Sequence, residues 1–524
     1  MSGNNDKTAL FGLLQSLGLS PALRNDARVL EALEKGEPVD SMHGMHETGL
    51  LDPFFDFLEE SGIYSCIGKV SNLSYHRVML PITLLLLTYM TKILVGVSSM
   101  NALPEVLFTK EPLMKILGFN AMVLENGLCK RGEHNRKKEP PKPFTPQMLA
   151  NFVERFNYEE VESLFNSVIR ALARFGAFPE NIKAILDGSD LETTKNFKGC
   201  GMAKRQKEEK GKIVEKIVYG FKIVAVMDCH TQVPLAIKVL KINEHEANHT
   251  IDLLKQAMFN VKDYAKISWI TFDRGFIDGI TLHKIDQLGI NFIVPAKKNM
   301  EIYREAKDLA GEGKSQTTKK VKAAALEGLT SLDSYCPEEY FKEKNKKDFI
   351  PKPINAVVVN EWENKTYGPD HGPVFLTNAS VGKPVNIVNL YSNRSIIENL
   401  LFRETKQGWH LTSAPKKTEE AMVAHVMLTM TTYALTMIYR DWVEEGVVQD
   451  NSRYRSFDKG TRRWRREQEK NMDEYVIIFV GNSYAILHYA ELAVITGGIR
   501  MKNYPEGMGS REEIYRRRGL KPPS

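Results

Sequence analysis

The first part of the chain carries apolar residues at the three-to-four-residue spacing of helices. Between Leu10 and Gly118 this spacing recurs, for example at Phe54, Phe57 and Leu58, and few stretches alternate as strands do. The pattern predicts an all-α N-terminal domain over residues 1–128.

One apolar run, Val78–Val97, is long enough to be compared with a membrane span. Pro81, Thr83 and Lys92 interrupt it, whereas a spanning helix needs about 20 predominantly apolar residues. We therefore expect a buried helix here and no membrane contact.

After residue 145 the hydrophobic pattern alternates between helices and strands. The predicted elements are a helix over 145–175, strands over 182–186, 219–227 and 233–240, a helix over 250–261, a strand over 267–272, a helix over 278–288 and a strand over 291–295. Strands that alternate with helices indicate a sheet covered by helices, so the predicted fold is an α/β core.

Three segments flank or interrupt this core. Residues 129–145 are basic and proline-rich, which predicts an exposed linker that is either solvated or in contact with DNA. Residues 300–385 are lysine-rich and then strand-like, which predicts a β-rich insertion between core segments 146–299 and 386–445. Residues 446–524 are predicted to form a mixed C-terminal region.

Composition excludes a disulfide-stapled or zinc-ribbon protein but does not by itself indicate a nucleic-acid partner. Lys and Arg number 71 against 65 Asp and Glu, so a nucleic-acid partner has to be argued from local clusters rather than from net charge. The five cysteines contain no CxxC pair and fit neither a disulfide framework nor a zinc ribbon. The N-terminus lacks the basic-then-apolar order of a signal peptide, and a cytoplasmic location is expected.

Three carboxylates stand where metal ligands should be presented. Asp187 and Asp273 each follow a short apolar strand, and Glu398 falls in a helical stretch. Two strand-end aspartates and a helix glutamate can hold two divalent cations about 3.5 to 4 Å apart for phosphoryl transfer. Their hard oxygen ligands favour Mg²⁺ or Mn²⁺ over zinc. Gly188, directly after Asp187, is expected to leave the metal side of the strand uncrowded.

Glu398 has charged neighbours at helical spacing. Arg394, Glu398 and Lys406 recur at multiples of four residues, which places them on neighbouring turns of one slowly winding face. Arg394 and Lys406 could then approach phosphates, although a surface ladder of ion pairs has the same spacing. Glu404 is a rival carboxylate, but it lies about 120° around the helix from Glu398.

Two further motifs each allow two interpretations. A cluster of basic residues around a tryptophan could bind phosphates and stack on a base, or form a solvated helix face; it comprises Arg462, Arg463, Trp464, Arg465 and Arg466. His245-Glu246-x-x-His249 satisfies the zinc-peptidase pattern. No clear third ligand follows it, and a loop that leads into a helix explains it adequately.

With its three acidic motifs in this order, the chain resembles the DDE transposases of prokaryotic insertion sequences. The matching residues are Asp187-Gly188-Ser189, Asp273-Arg274-Gly275-Phe276, and Tyr391, Arg394 and Glu398 with Lys406. The third set resembles the branch whose motif reads Tyr-x-x-Arg-x-x-x-Glu-x(6)-Lys. Seven residues rather than six separate Glu398 from Lys406, and Ser395 stands where a tryptophan is often found.

The resemblance, which spans roughly residues 180–440, implies a fold and a function. It implies a ribonuclease H-like catalytic core with a β-rich insertion, and an N-terminal domain that binds transposon ends or holds a homodimer together on DNA. Asp187, Asp273 and Glu398 would bind two Mg²⁺ or Mn²⁺ ions and catalyse cleavage and strand transfer of double-stranded DNA. Tyr391, Arg394 and Lys406 would grip phosphates. The alternative is a catalytically inactive DNA-binding relative of the same fold.

Overall fold

The computed structural model describes residues 22–44, 51–70, 80–119, 121–127, 143–209, 212–342, 351–368, 370–448 and 475–495. The chain divides into two compact units. The first comprises Met1–Ala171 together with Glu404–Ser524, and the second comprises Leu172–Arg403.

The helices occur in both units. In chain order they are α1 (Asp26–Glu34), α2 (Leu51–Glu60), α3 (Ile63–Gly68), α4 (Ile82–Val95), α5 (Leu103–Val106), α6 (Glu111–Leu117), α7 (Ala121–Asn126), α8 (Pro146–Glu154), α9 (Tyr158–Arg174), α10 (Thr250–Val261), α11 (Gly279–Gln287), α12 (Glu301–Asp308), α13 (Glu338–Lys342), α14 (Pro384–Ser392), α15 (Arg403–Gly408), α16 (Glu419–Val448) and α17 (Tyr489–Ile495). Short 3₁₀ turns cover Met100–Ala102, Glu246–His249, Arg274–Phe276 and Leu309–Gly311, and a π-helical turn covers Ile397–Phe402.

The strands form two sheets. In chain order they are β1 (Leu23–Arg24), β2 (Ser41–Gly44), β3 (Asn181–Thr193), β4 (Gly201–Glu209), β5 (Lys212–Asp228), β6 (Pro234–Lys241), β7 (Lys266–Phe272), β8 (Asn291–Pro295), β9 (Lys314–Thr317), β10 (Val321–Leu329), β11 (Ile354–Trp362), β12 (Lys365–Thr366), β13 (Val374–Thr377), β14 (Tyr475–Val480) and β15 (Ser483–His488).

The N-terminal region is not all-α, which corrects the prediction for residues 1–128. Strands β1 and β2 join the C-terminal hairpin in a small sheet of order β1-β15-β14-β2. Val29 of α1 packs on this sheet against Ile478 and Leu487. Strands this short show no periodicity of their own, so the sequence pattern could not reveal pairing with a partner more than 400 residues away.

The other elements that the structure describes in the first unit are helices, and α4 and α16 are deeply buried among them. Nearly every residue of α4 is buried, including Lys92, which confirms a buried helix in the apolar run Val78–Val97. Glu419–Trp442 of α16 is long and apolar enough to cross a membrane, but its apolar window is wholly buried inside the structure. The Tyr89 hydroxyl of α4 lies 2.8 Å from His425 Nδ1 of α16.

The second unit contains the larger sheet, of order β4-β5-β3-β7-β8-β13-β11-β10-β9, with β6 paired to β5. Strand β3 is antiparallel to β5 and parallel to β7, which is parallel to β8. The predicted helix over 250–261 and strand over 291–295 coincide with α10 and β8. The predicted helix over 145–175 is instead two helices, α8 and α9.

Helices cover both faces of this sheet. Phe292 and Val294 of β8 belong to one core cluster with residues of α10 and α11, whereas Ile293 belongs to another with residues of α14. Since successive side chains of a strand point to opposite faces, these clusters define an α10 face and an α14 face.

The lysine-rich segment predicted as an insertion continues the central sheet. Its strand β13 pairs antiparallel with β8, with Phe375 opposite Pro295, and β11, β10 and β9 follow outward. The prediction of strands in 300–385 was therefore right. Which strand they pair with could not be predicted, because hydrophobic periodicity carries no information about partners.

Candidate active site

Asp187 and Asp273 are neighbours across two parallel strands. The last register pair between β3 and β7 is Leu186 with Phe272, so each aspartate is the next residue on its strand. Adjacent strands lie about 4.8 Å apart, which brings the two carboxylates to one place on the sheet. Asp273 follows the end of β7 as predicted. Asp187 does not end its strand, because β3 continues to Thr193 along β5.

The Asp187 carboxylate is buried and has two partners. The residue is 8% exposed, and its Oδ1 accepts a hydrogen bond from Gly188 N at 2.8 Å. Its Oδ2 accepts one from Arg394 Nη1 at 2.9 Å. The pKa of Asp187 is raised from 3.8 to about 7, chiefly by burial and in smaller part by the charges of Glu398 and Asp273, while the Gly188 amide and Arg394 oppose the shift.

Glu398 joins this group through Arg394. Arg394 Nη1 also donates to Glu398 Oε1 at 2.7 Å, so one guanidinium nitrogen bridges two of the predicted carboxylates. The Glu398 side chain is 51% exposed, whereas that of Asp187 is only 11% exposed. The site therefore opens to solvent on the Glu398 side.

The third motif extends over a helix end, a turn and the π-helical turn that carries Glu398, where the sequence predicted one helix and its entry. Tyr391 lies at the end of α14, Arg394 lies in the turn that follows, and Glu398 lies in the π-helical turn Ile397–Phe402. A π-helical turn is wider than an α-helix and is frequent at functional sites. Arg394 and Glu398, four residues apart, form the kind of ion pair that the alternative interpretation of this spacing allowed, and the phosphate contact of Arg394 stays a prediction.

Tyr391 packs beside this group. Its ring lies 4.4 Å from that of Phe375, centroid to centroid, and its hydroxyl is hydrogen-bonded with Arg394. Burial raises the pKa of Tyr391 to about 12, so the phenol stays protonated near neutral pH. Tyr391 therefore offers a neutral hydroxyl next to the carboxylates.

The other predicted residues are placed differently. Lys406 and Glu404 lie on α15, where residues from Glu404 onward belong to the first unit. Glu404 is near the buried Tyr433. Burial raises the pKa of Tyr433 most, and the charge of Glu404 adds to the rise. The cluster Arg462 to Arg466 lies outside the described residues, so its contact with DNA stays a prediction.

The His245-Glu246-x-x-His249 motif does not form a zinc-binding helix. Glu246–His249 is a 3₁₀ turn with extended His245 in front of it, and His249 Nε2 lies 3.7 Å from Glu244 Oε2. Glu246 Oε2 is instead 3.1 Å from Lys222 Nζ. Sequence reasoning missed Lys222, since a lone lysine inside a β-strand gives no signal of its partner.

The chemistry of the three carboxylates suits a hard divalent cation. Throughout the described ranges, no group of three or more His, Cys, Asp and Glu side chains is arranged to hold a metal ion. The positively charged group that lies between the Asp187 and Glu398 carboxylates is the guanidinium of Arg394. Asp187 is nevertheless a buried carboxylate with a raised pKa, which an added cation would stabilise in its charged form.

Comparison with known proteins gives a family resemblance for this part of the chain. Residues 180–435, just under half of the chain, match the family described as Transposase DDE domain. The match contains Asp187, Asp273 and Glu398 and supports the resemblance to DDE transposases. A solved structure, the cryo-EM structure of a piggyBac transposase synaptic complex with hairpin DNA, is 10% identical with a TM-score of 0.36, over 90% of this chain and 85% of that chain. No curated protein matches the chain.

Proposed function

We propose that this chain is a DDE transposase that cuts DNA at transposon ends and joins the freed 3′-hydroxyl to target DNA. The observation that carries the proposal is the meeting of Asp187, Asp273 and Glu398 from three distant segments, inside the stretch that matches a transposase DDE domain. The prokaryotic insertion-sequence branch is proposed from the Tyr391, Arg394 and Glu398 motif.

The topology of the second unit supports a ribonuclease H-like catalytic core. Three strands, β3, β5 and β6, pair antiparallel, and β7 and β8 then add in parallel to β3. Helices α10 and α11 are the crossover connections that parallel strands require. Asp273 follows β7, and Asp187 lies in β3 just beyond its last pair with β7, so both aspartates lie at the carboxyl end of β7, where open α/β sheets bind ligands.

Asp187, Asp273 and Glu398 would hold the metal ions, two Mg²⁺ or Mn²⁺. Bound there, the ions would supply Lewis acidity and an activated oxygen nucleophile for phosphoryl transfer. Arg394 orients Asp187 and Glu398 and reduces the repulsion between them. A guanidinium carries five N–H donors, so Arg394 can contact a DNA phosphate as well. The Tyr391 hydroxyl, beside Arg394, would donate to the same phosphate.

Double-stranded DNA, as transposon end and as target, is the proposed partner. Lys406 and the basic cluster Arg462, Arg463, Trp464, Arg465 and Arg466 would bind its backbone, which positions a duplex without reading its sequence. We also propose a homodimer on DNA and a cytoplasmic, nucleoid-associated location. These assignments rest on the family resemblance.

The direct experiment uses DNA that carries the sequences flanking the gene. Incubation of this DNA with the protein and Mg²⁺ should release cut ends and produce joined products. Binding without cutting in Mg²⁺ or Mn²⁺ would favour the inactive DNA-binding relative. A zinc peptidase is not favoured, since Glu246 pairs with Lys222 and His249 with Glu244.

A further inference from the structure

An ion pair between a buried lysine and a half-buried glutamate lies against Gly188 on the face of β3 opposite Asp187. Leu186, two residues before Gly188, packs into the core of the α10 face, so Gly188 points to that face and Asp187 to the other. Lys222 is only 8% exposed, and its Nζ is 3.1 Å from Glu246 Oε2. Lys222 and Glu246 thus form a charged contact behind the candidate active site.

A side chain at residue 188 would displace the Glu246 carboxylate from this contact. A Cβ at Gly188 would lie 2.5 Å from Glu246 Oε2 and 3.2 Å from Glu246 Cδ. Gly188 was expected to leave the metal side of the strand uncrowded, but its missing side chain would point to the α10 face. Glu246 therefore packs directly on the backbone of Gly188.

Surrounding contacts hold Glu246 in place. Lys222 Nζ lies 3.5 Å from the carbonyl oxygen of Glu244, and Glu244 Oε1 accepts a hydrogen bond from Lys241 N at 3.0 Å. Glu246 begins the 3₁₀ turn that leads into α10. The carboxylate that touches Gly188 is thus paired with Lys222 of β5, and Glu244, two residues before it, is bonded to β6.

The same glycine holds the Asp187 carboxylate. Gly188 N donates to Asp187 Oδ1 at 2.8 Å, so the orientation of this amide sets one of the two contacts of that carboxylate. A shift of the Gly188 backbone would move its N–H relative to Asp187. A continuous chain of contacts runs from Lys222 through Glu246 and Gly188 to Asp187.

We propose that Lys222 and Glu246 are positioning residues that fix the Gly188 peptide and thereby the Asp187 carboxylate for catalysis. The inference rests on the proposed function of Asp187. Neither residue touches substrate; both act through Gly188. Glu246, the central residue of the apparent zinc motif, thereby has a role without zinc.

A double-mutant cycle tests this contact. The variants are Gly188→Ala, the paired change Lys222→Met with Glu246→Ala, and all three together; the paired change leaves no unpaired buried charge. Gly188→Ala alone should lower kcat of Mg²⁺-dependent DNA cleavage by about 10²-fold with KM for duplex DNA unchanged, as a displacement near 1 Å at a reacting group does. In the paired background the same Ala should cost less than about threefold, because its Cβ enters the space that Glu246 vacated.

Two controls separate positioning from loss of fold. Gly311→Ala is the matched control, since nothing lies within 4 Å of a Cβ there, and it should leave kcat unchanged. Mn²⁺ affinity of the DNA-free protein, measured by calorimetry, should show the same rescue as cleavage, and thermal unfolding verifies that each variant is folded.

Each outcome has one meaning. If Gly188→Ala costs the same factor in both backgrounds for both kcat and Mn²⁺ affinity, the positioning role is overturned. If the parent protein cuts no DNA, the proposed function fails, and the cycle is then decided by Mn²⁺ affinity alone. If Gly188→Ala weakens Mn²⁺ affinity less in the paired background than in the parent, the chain of contacts is supported. If it weakens the affinity equally in both backgrounds, the chain of contacts is overturned.

Discussion

Arg394 Nη1 lies 2.9 Å from Asp187 Oδ2, although 207 residues separate them in the chain. The same nitrogen lies 2.7 Å from Glu398 Oε1, so Arg394 neutralises part of the charge of two carboxylates. Its charge also opposes the upward shift of the Asp187 pKa. The pH dependence of the reaction should therefore depend on Arg394.

Replacing Arg394 by Met should slow single-turnover DNA cleavage by about 10²-fold, because Asp187 and Glu398 lose the group that orients them. The acid limb of the pH–rate profile should move to higher pH, since Asp187 loses a favourable charge. Arg394→Lys should recover part of the shift. Arg205→Gln is the control, because Arg205 pairs with Asp190 on the α10 face. An unchanged acid limb in Arg394→Met would refute this role.

Asp187→Asn should stabilise the metal-free protein in a pH-dependent way. The pKa of Asp187 is 3.8 ordinarily and about 7 in the folded protein, so between these values the folded state binds more protons than the unfolded state. Stability is therefore lost as pH rises from about 4, and the full penalty is present above pH 7. In EDTA, the gain in Tm from Asp187→Asn should be larger at pH 8 than at pH 4. Equal gains at both pH values would argue against a buried, destabilised carboxylate.

Tyr391→Phe separates the hydroxyl from the ring. The Phe ring keeps the contact with Phe375, so the free energy of unfolding should change by less than about 1 kcal/mol. Cleavage should fall by about tenfold if the hydroxyl helps to place Arg394 or a phosphate. Tyr391→Ala should in addition cost about 2 kcal/mol or more of stability through lost packing. Cleavage by Tyr391→Phe at the parental rate would exclude a role for the hydroxyl.

Lys92→Met should stabilise the first unit. Burial lowers the pKa of Lys92 from 10.5 to about 8, so between these values the unfolded state binds more protons. The penalty is full below pH 8 and declines toward pH 10.5. The gain at pH 7 should be about 3 kcal/mol in urea unfolding and should shrink at pH 10. A loss of stability at pH 7 would show that the Lys92 amine makes a contact that outweighs its burial.

The sequence predicted those elements whose pattern is local. Helix α10 and strand β8 match their predicted bounds because one face of each is regularly apolar. The closeness of Arg394 and Glu398 follows from their four-residue separation, which needs no knowledge of the fold. The three acidic positions were identified because each follows or lies within an element with a clear pattern.

Relationships between distant segments could not be predicted in this way. The contact of Arg394 with Asp187 depends on the path of α14 over the sheet, and the pairing of β1 with β15 depends on strands too short to show a period. Gly188 was expected to matter for space on the metal side, whereas its close neighbour is Glu246 on the α10 face. This contact could not be predicted, because the position of Glu246 depends on where α10 begins. The π-helical turn at Glu398 also has no signature in a single sequence.

The central claim is that Asp187, Asp273 and Glu398 form one metal-dependent DNA-cutting centre. The most direct measurement is single-turnover cleavage of a labelled transposon-end duplex in Mg²⁺, with and without EDTA, by Asp187→Asn, Asp273→Asn, Glu398→Gln and the control Glu404→Gln. We expect EDTA and each of the three variants to reduce cleavage by at least about 10³-fold, while all variants still bind the duplex and Glu404→Gln cuts at the parental rate. Cleavage at the parental rate by any of the three would contradict the claim.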